Sequence, residues 1–314
     1  MFSIKQPKEI VFGKNSAHVY KYPENSLVIT SLGVKKRNWI EYLQLKNYYI
    51  FDQVGPNPSI DVITDIINEF SGANFSNIIG IGGGSCLDVT KFVASKLNIK
   101  KILISTTFGS GSDVTRISVL KVDGKKRSFH DDSFFADVSI VDSNFLSNTP
   151  EHIKKNSAID ACAQCSEAFD SKSGNEYTKF VCKKAFENLE SGIINNNDEQ
   201  LVFGSMLSGL GFGNCSTTLG HALSYVFSNE GIAHGHALAY TTTAAHKFNS
   251  SSFYERFLKI VKKLNFSNIT LKQNLEKASL TIFEDWKHLD NNPKTIAKND
   301  IIGLLEVINS QNAL

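Results

Sequence analysis

Three of the eight histidines lie close together, in the segment from His221 to His236. His221 falls on a predicted helix, with Tyr225 one turn further along the same face. His234 and His236 follow an irregular stretch and flank a single glycine. Because the intervening turn would fold the second segment back over the first, these imidazoles can converge on one cation. The residues alone leave an alternative open, in which polar histidines simply line a helix–turn junction.

A glycine-rich turn lies between a predicted buried strand, Asn77–Ile81, and a helix that carries Asp88. The candidate cofactor contacts here are Gly82, Gly83, Gly84 and Ser85 of the turn, together with Asp88. Consecutive glycines let backbone N–H groups approach a phosphate, and a helix N-terminus favours negative charge. Tight strand-to-helix turns without a ligand also use glycine. The turn therefore indicates a phosphate site, with simple chain reversal as the alternative.

A second stretch, Ile104–Thr115, combines hydroxyls and glycines at the end of another predicted strand. Its candidate nucleotide contacts are Thr106, Thr107, Gly109 and Thr115. Small side chains of this kind can wrap a nucleotide without excluding it sterically. The alternative is a surface loop rich in serine and glycine.

Short apolar runs alternate with helical patterns through the first 150 residues. The predicted strands are Ser26–Thr30, Tyr48–Phe51, Asn77–Ile81, Lys101–Ser105 and Val138–Val141. Continuously apolar strands that alternate with helices predict a parallel sheet covered on both faces, and such sheets bind ligands at the carboxyl ends of their strands. Helical patterns dominate from Ser157 onward, so we predict an α/β nucleotide-binding domain over residues 1–150 and a helical domain over residues 151–314.

Composition excludes several functional classes. The net charge is +2 and no long basic run occurs, which argues against a dedicated nucleic-acid-binding protein. No apolar run approaches the ~20 residues that a membrane span needs. The first residues lack the build of a signal peptide, and five cysteines form no even disulfide framework. We therefore expect a cytoplasmic protein with reduced thiols.

These motifs together resemble the iron-containing alcohol dehydrogenase family, within the superfamily of dehydroquinate synthase and glycerol dehydrogenase. The turn reads GGGSxxDxxK, and Ile104–Thr115 is similar to the family segment P-T-T-x-G-T-G-S-E-x-T. The segment Asp160–Ala168 is similar to the family helix D-x-x-x-H-x-x-E-A. The resemblance implies a Rossmann-like domain followed by an all-helical domain, with the active site in the cleft between them.

The resemblance also implies a nicotinamide cofactor. Lys126 matches a lysine that contacts the cofactor in the family. Family members that prefer NAD carry an acidic residue after the first strand, where this chain has Ser31, with Lys35, Lys36 and Arg37 close in sequence. Without that carboxylate a 2′-phosphate is not repelled, so we predict that NADP(H) is preferred over NAD(H). In the alternative, Ser31 tolerates either cofactor.

The resemblance implies one divalent metal, Fe²⁺ or Zn²⁺, held by Asp160, His221 and His234. Gln164 stands where iron-dependent members have a further histidine ligand, and it is either a weak carbonyl-oxygen ligand or a bystander. Tyr225 replaces another histidine near the substrate. We expect a catalytic role for Tyr225 or for His236, with aromatic packing as the alternative for the tyrosine.

The implied reaction is hydride transfer from NAD(P)H to a small aldehyde or ketone, whose carbonyl the metal polarises. We expect a homodimer with no nucleic-acid or membrane partner. Two alternatives stay open: a metal-dependent lyase or cyclase of the dehydroquinate synthase type, and a non-catalytic relative without metal.

Overall fold

The computed structural model describes residues 1–147 and 149–310. They form two compact units, Ser3–Thr149 and the residues from Pro150 onward together with Met1–Phe2. This division lies one residue from the predicted domain boundary. The last four residues of the predicted helical domain, 311–314, lie outside the described residues.

The first unit contains a parallel six-stranded sheet with the order β1-β8-β5-β4-β2-β3. Its strands are β1 Glu9–Phe12, β2 Ser26–Ile29, β3 Tyr48–Phe51, β4 Asn77–Gly82, β5 Lys100–Ser105 and β8 Val138–Val141. Every neighbouring pair is parallel. Strands β2, β4 and β5 are almost completely buried, which explains their continuous apolar sequence. The predicted parallel sheet is confirmed.

Three strands were not predicted. Strand β1 is short and half exposed, and it pairs only with β8 at one edge of the sheet. Strands β6 Ile117–Val122 and β7 Lys125–His130 form an antiparallel hairpin. Its turn is Asp123-Gly124, with φ of +51° and +74°, the left-handed pair that favours two-residue hairpin loops. The charged β7 gave no apolar alternation by which to recognise it.

Helices cover the sheet of the first unit, and they include two short 3₁₀ segments. They are α1 Ser16–Val19, α2 Leu32–Lys36, α3 Trp39–Tyr42, α4 Asp61–Glu69, α5 Gly84–Leu97, η1 Asp132–Phe134 and η2 Ser143–Leu146. Apolar clusters lie on both faces of the sheet: the consecutive residues Leu27 and Val28 of β2 belong to different clusters. This is the arrangement of a sheet that is buried on both sides.

The second unit is helical, as predicted, and its described residues contain no strand. Its helices are α6 Glu151–Asp170, α7 Glu176–Asn195, α8 Asp198–Cys215, α9 Leu219–Asn229, α10 His234–Asn249, α11 Tyr254–Leu264, α12 Leu275–Phe283, α13 Trp286–Asn291 and α14 Lys298–Asn309. All five cysteines of the chain are free and buried, four of them in this unit. Within residues 1–147 and 149–310, no helix combines the length and apolarity needed to cross a membrane.

Candidate metal centre and nucleotide loops

Helix α6 presents three polar side chains on one buried face. Asp160, Gln164 and Glu167 follow one another at spacings of four and three residues, so they lie along the same side of the helix. Gln164 and Glu167 are 6% and 1% exposed. Burying such groups is costly unless each finds a partner, and α9 and α10 provide those partners.

The chain reverses between α9 and α10 and brings His221 and His234 together. Gly231 takes a left-handed conformation with φ of +92° in this turn, and His234 is the first residue of α10. The two imidazole rings lie 5.6 Å apart between centroids. The turn therefore does what the spacing of the histidines suggested.

Three ligand atoms converge here. One oxygen of Asp160, Oδ1, lies 3.8 Å from Nε2 of His221 and 3.9 Å from Nε2 of His234. One potential ligand atom from each of the three residues lies within 4.8 Å of the others. Bonds of about 2.1 Å to a tetrahedral ion would place such atoms about 3.4 Å apart, so small side-chain movements would complete the site. The donor set of one carboxylate and two imidazoles fits Zn²⁺ or Fe²⁺.

The other ring nitrogen of each histidine has a hydrogen-bond partner. Nδ1 of His221 lies 3.1 Å from Oε1 of Glu167. Nδ1 of His234 lies 3.4 Å from Oγ of Ser224, whose own proton goes to the carbonyl of His221. Both rings therefore direct Nε2 towards Asp160, which is the orientation of metal-binding histidines with an outer hydrogen-bond acceptor.

Gln164 occupies a neighbouring position. Its Nε2 donates to Oδ1 of Asp160 at 2.9 Å, and its carbonyl oxygen accepts from Oγ of Ser208 at 3.4 Å. The amide oxygen thus faces away from Asp160. In this arrangement Gln164 supports the aspartate, and its oxygen is not among the converging ligand atoms.

Charges and hydrogen bonds, more than burial, set the pKa values of His221 and Glu167. Burial alone would lower the pKa of His221, but the charge and hydrogen bond of Glu167 and the nearby Asp160 raise it to about 9. Burial alone would raise the pKa of Glu167, but the charge of His221 and several hydrogen bonds lower it to about 2. Glu167 is therefore an ionised carboxylate at neutral pH.

Tyr225 lies at the exposed side of the cluster. Its ring stacks on His234, with an interplanar angle of 8° and a centroid distance of 6.2 Å. His288 also packs against this ring, at 5.9 Å between centroids, and its Nδ1 lies 2.7 Å from a carboxylate oxygen of Asp285. Desolvation and the charge of Asp285 raise the pKa of the Tyr225 phenol, although 42% of the residue is exposed. The phenol therefore keeps its proton at neutral pH.

His236 is not brought together with these residues. It is two positions after His234 on α10, so its side chain leaves a different face of the helix. Its Nε2 contacts the carbonyl of Ser267, and its ring packs on Phe266. These contacts give no support to a role of His236 beside the substrate.

The two glycine-containing segments of the first unit lie side by side. The N–H of Thr106 donates to the carbonyl of Gly82 at 2.9 Å. Gly82 has φ of +153°, and an added Cβ would lie 2.6 Å from Sγ of Cys86. A Cβ on Gly83 or Gly84 would meet the side chain of Thr107 or Ser110. The predicted phosphate turn and the hydroxyl-rich loop thus form one surface at the carboxyl ends of β4 and β5.

Asp88 lies behind this surface. Its carboxylate accepts from Oγ of Ser112 at 2.7 Å and from the N–H of Val119 at 3.0 Å, and Nζ of Lys91 is 3.7 Å away. Burial raises the pKa of Asp88 and lowers that of Lys91 to about 8. Asp88, predicted as a cofactor contact, is thus engaged in tying α5 to the loop and to β6.

The remaining predicted cofactor residues differ in how far they are exposed to solvent. Gly109 and Thr115 are buried, and Ser85 is half-buried with its Oγ accepting from the N–H of Asn57. Lys126 is exposed on β7, opposite Lys121.

Ser31 lies between the end of β2 and the start of α2, with a bridge to Gln53. Of the three basic residues that follow it in the sequence, two already contact other side chains. Lys35 forms an ion pair of 2.7 Å with Asp52, and Arg37 lies over the ring of Trp39.

The sequence does not predict two groups of the second unit. Glu167 belongs to a motif there and has no predicted role, although its place three residues after Gln164 puts it on the ligand face of α6. The His288–Asp285 pair had the signal of helical i, i+3 spacing, but nothing in the sequence linked α13 to α9. Only the packing of α13 against α9 places His288 beside Tyr225.

Comparison with protein families gives two adjoining matches. The model of iron-containing alcohol dehydrogenases matches residues 7–143. The C-terminal model of the Fe-containing alcohol dehydrogenase family matches residues 155–302. Together they cover almost the whole chain, and they meet near the division between the two units.

Curated relatives carry related names. The chain is 31% identical to the 4-hydroxybutyrate dehydrogenase of Clostridium kluyveri, over 57% of this chain and 56% of that protein. It is 30% identical to long-chain-alcohol dehydrogenase 1 of Geobacillus thermodenitrificans, over 61% of this chain and 56% of that protein. The chain thus spans little more than half the length of these two relatives.

A solved structure shows the same fold. The sulfoacetaldehyde reductase of Bifidobacterium kashiwanohense, solved in complex with NAD+, superposes with a TM-score of 0.90 at 21% identity. The superposition covers 99% of each chain.

Proposed function

The chain belongs to the iron-containing alcohol dehydrogenase family, and we propose that it is a metal-dependent, NAD(P)H-linked alcohol dehydrogenase that works as a reductase of small aldehydes or ketones. The observation that carries this proposal is the convergence of Asp160, His221 and His234, with both Nε2 atoms directed at one carboxylate oxygen. A pattern of polar histidines without a ligand would not require this shared orientation.

Asp160, His221 and His234 would hold the ion. Three protein ligands leave a coordination position for substrate, which is the composition of a catalytic rather than a structural metal site. A bound divalent ion would polarise the carbonyl oxygen and stabilise the negative charge that develops there during hydride transfer. Gln164 keeps Oδ1 of Asp160 in place through its amide N–H. The choice between Fe²⁺ and Zn²⁺ is left to measurement, since both accept this donor set.

Tyr225 is the proposed donor to the substrate oxygen. Its ring is fixed by stacking on His234, and its phenol stays protonated because its pKa is raised. A neutral phenol can donate a hydrogen bond, or a proton, to an oxygen that becomes more basic during reduction. His288 packs against the same ring, and its contact with Asp285 fixes its orientation.

The surface built by Gly82–Ser85 and Thr106–Thr107 is the proposed site of the cofactor pyrophosphate. The N-terminus of α5 lies directly behind the glycines, where backbone N–H groups and the helix dipole favour phosphate. A preference for NADP(H) over NAD(H) is supported by Ser31 and the adjacent cations. Asp52 offsets part of this preference, since its carboxylate already neutralises Lys35.

Metal analysis and aldehyde reduction test the proposal. Protein purified without chelator should contain one divalent ion per chain. After reconstitution with Fe²⁺ or Zn²⁺ it should consume NADPH stoichiometrically with an aldehyde. The substrate panel should include a semialdehyde, a sulfonated aldehyde and a long-chain aldehyde, the classes suggested by the names of the relatives. His234→Gln should bind metal far more weakly and lose activity, whereas His236→Gln, altered on the other face of α10, should leave both unchanged.

Each alternative has its own outcome. A wild-type protein that binds neither ion would refute the proposal and support a non-catalytic relative. Metal binding without net consumption of NADPH or NADH by any aldehyde would support a lyase or cyclase instead. We also propose a cytoplasmic enzyme, which accords with five free thiols; the homodimer stays a prediction.

A further inference from the structure

Glu167 is the most completely engaged carboxylate near the metal ligands. It is 1% exposed. Its Oε1 lies 3.1 Å from Nδ1 of His221 and 3.0 Å from Oγ1 of Thr242. Its Oε2 accepts from the N–H and the hydroxyl of Thr218, at 2.7 and 3.0 Å, and more distantly from the N–H of His221 at 3.4 Å. Helices α6, α9 and α10 all contribute to this one carboxylate.

The partners of Glu167 are hydrogen-bond donors. Two are backbone N–H groups, which cannot accept, and two are hydroxyls that donate to an ionised oxygen. Surrounded in this way, a carboxylate requires the remaining contact, Nδ1 of His221, to carry a proton as well. Loss of the Nε2 proton from His221 leaves a neutral imidazole, which keeps its proton on Nδ1 and has its lone pair on Nε2. That is the atom directed towards Asp160.

We propose that Glu167 is a positioning residue, which fixes the Nδ1–H tautomer of His221 and so presents Nε2 as a metal ligand. The inference rests on the proposed metal-dependent function and deepens it. Ser224 serves His234 in a weaker way, through a neutral hydroxyl at 3.4 Å.

The packing around the carboxylate supports the assignment. A Cβ on Gly220, the residue before His221, would lie 2.3 Å from Oε1 of Glu167 and 2.7 Å from Oγ1 of Thr242. Only glycine allows the carboxylate to reach the imidazole at this distance. A carboxylate that merely joined three helices would not need this close approach to the ring of His221.

Replacement of Glu167 by glutamine gives a sharp test. Glutamine has nearly the same shape, but one of its two terminal atoms is an N–H₂ group. Placed at the position of Oε2, this group would face the N–H of Thr218. Placed at the position of Oε1, it would donate to Nδ1 of His221 and move the ring proton to Nε2, the metal-binding atom. The first orientation leaves only a neutral amide oxygen to accept the Nδ1–H, and the second reverses the tautomer, so we expect Glu167→Gln to bind Zn²⁺ about 10- to 100-fold more weakly.

The experiment measures the Kd for Zn²⁺ by competition with a chromophoric chelator, and the unfolding of the metal-free protein in urea. Thr242→Val is the matched control, because it removes a hydrogen bond to the same Oε1 without touching His221. It should change the Zn²⁺ affinity by less than about threefold. Glu167→Asp keeps the charge and should lose less affinity than Glu167→Gln, and it replaces that variant if the glutamine protein does not fold.

A double-mutant cycle separates positioning from a structural role. If Glu167 acts through His221, Glu167→Gln should weaken Zn²⁺ binding little, under about threefold, in a His221→Gln background. Equal losses in both backgrounds would overturn the inference, as would a glutamine variant that is less stable yet binds Zn²⁺ like wild type. Wild-type protein that binds no Zn²⁺ or Fe²⁺ would instead refute the proposed function. The two failures are therefore distinguishable.

Discussion

We expect Gly220→Ala to weaken Zn²⁺ binding, although Gly220 is not itself a proposed metal ligand. The new Cβ would lie 2.3 Å from Oε1 of Glu167 and 2.9 Å from Cα of Thr242. Nonbonded heavy atoms prefer separations of about 3.5 Å, so the carboxylate must retreat by roughly 1 Å. Its bond of 3.1 Å to Nδ1 of His221 would then exceed the ~3.5 Å limit of a hydrogen bond.

The energetic cost follows from three effects. Overpacking costs about 1–3 kcal/mol. Weakened hydrogen bonds to a buried charge cost about 1.5–3 kcal/mol. In a helix, alanine is more favourable than glycine by about 1 kcal/mol, and this gain offsets part of the two costs. We therefore expect the unfolding free energy of metal-free Gly220→Ala to fall by about 1.5–5 kcal/mol, with weaker Zn²⁺ binding.

Gly211→Ala provides the control. Its Cβ would lie 2.3 Å from Sγ of Cys182, and the next nearest atoms are 3.7 Å away. The thiol can rotate, and no group of the metal site is touched. Urea unfolding and chelator competition on both variants should show lower stability for each, but weaker Zn²⁺ binding for Gly220→Ala alone. Wild-type Zn²⁺ affinity in Gly220→Ala would refute the reasoning, and equal losses in both variants would indicate general disruption.

Three further predictions concern other residues. Ser31→Asp should lower kcat/KM for NADPH relative to NADH by about tenfold, because a carboxylate repels the 2′-phosphate; an unchanged ratio in steady-state assays would show that Ser31 does not lie at the ribose. Tyr225→Phe should keep Zn²⁺ affinity, since the ring still stacks on His234, but lower kcat by about tenfold or more; an unchanged kcat would limit the tyrosine to packing. Burial lowers the pKa of His246 from 6.5 to about 4. As the pH falls from 6.5 to 4, this histidine is therefore protonated in the unfolded chain but stays neutral in the folded protein. The unfolding free energy should decrease by about 3 kcal/mol across that window, and an equal pH dependence in His246→Gln would contradict this.

The parallel sheet could be predicted because its central strands are buried on both faces. Strand β4 has no polar side chain after Asn77 and runs into consecutive glycines, so both its burial and its turn were visible in the sequence. The hairpin β6–β7 could not be recognised in the same way. It lies outside the main sheet, and β7 is almost entirely exposed, so no apolar alternation marks it.

The candidate site was predictable where spacing along one helix carried the information. Asp160 and Gln164 share a face of α6, and the turn between His221 and His234 was evident from its composition. The orientation of the Gln164 amide depends on Ser208 of α8, a contact between distant segments. The contacts of His236 depend likewise on the position of Ser267. These side-chain orientations depend on tertiary packing, which local sequence patterns do not encode.

The buried Lys91 has a consequence for motion in the first unit. Its Nζ donates to Oγ of Ser112 and to the carbonyl of Ile117, at 2.8 and 2.7 Å. These bonds attach the irregular segment between β5 and β6 to a buried side chain of α5. Amide protons depend on local opening to exchange with solvent. Residues 110–117 should therefore exchange slowly in deuterated water, as a regular element would, although most of them belong to no helix or strand.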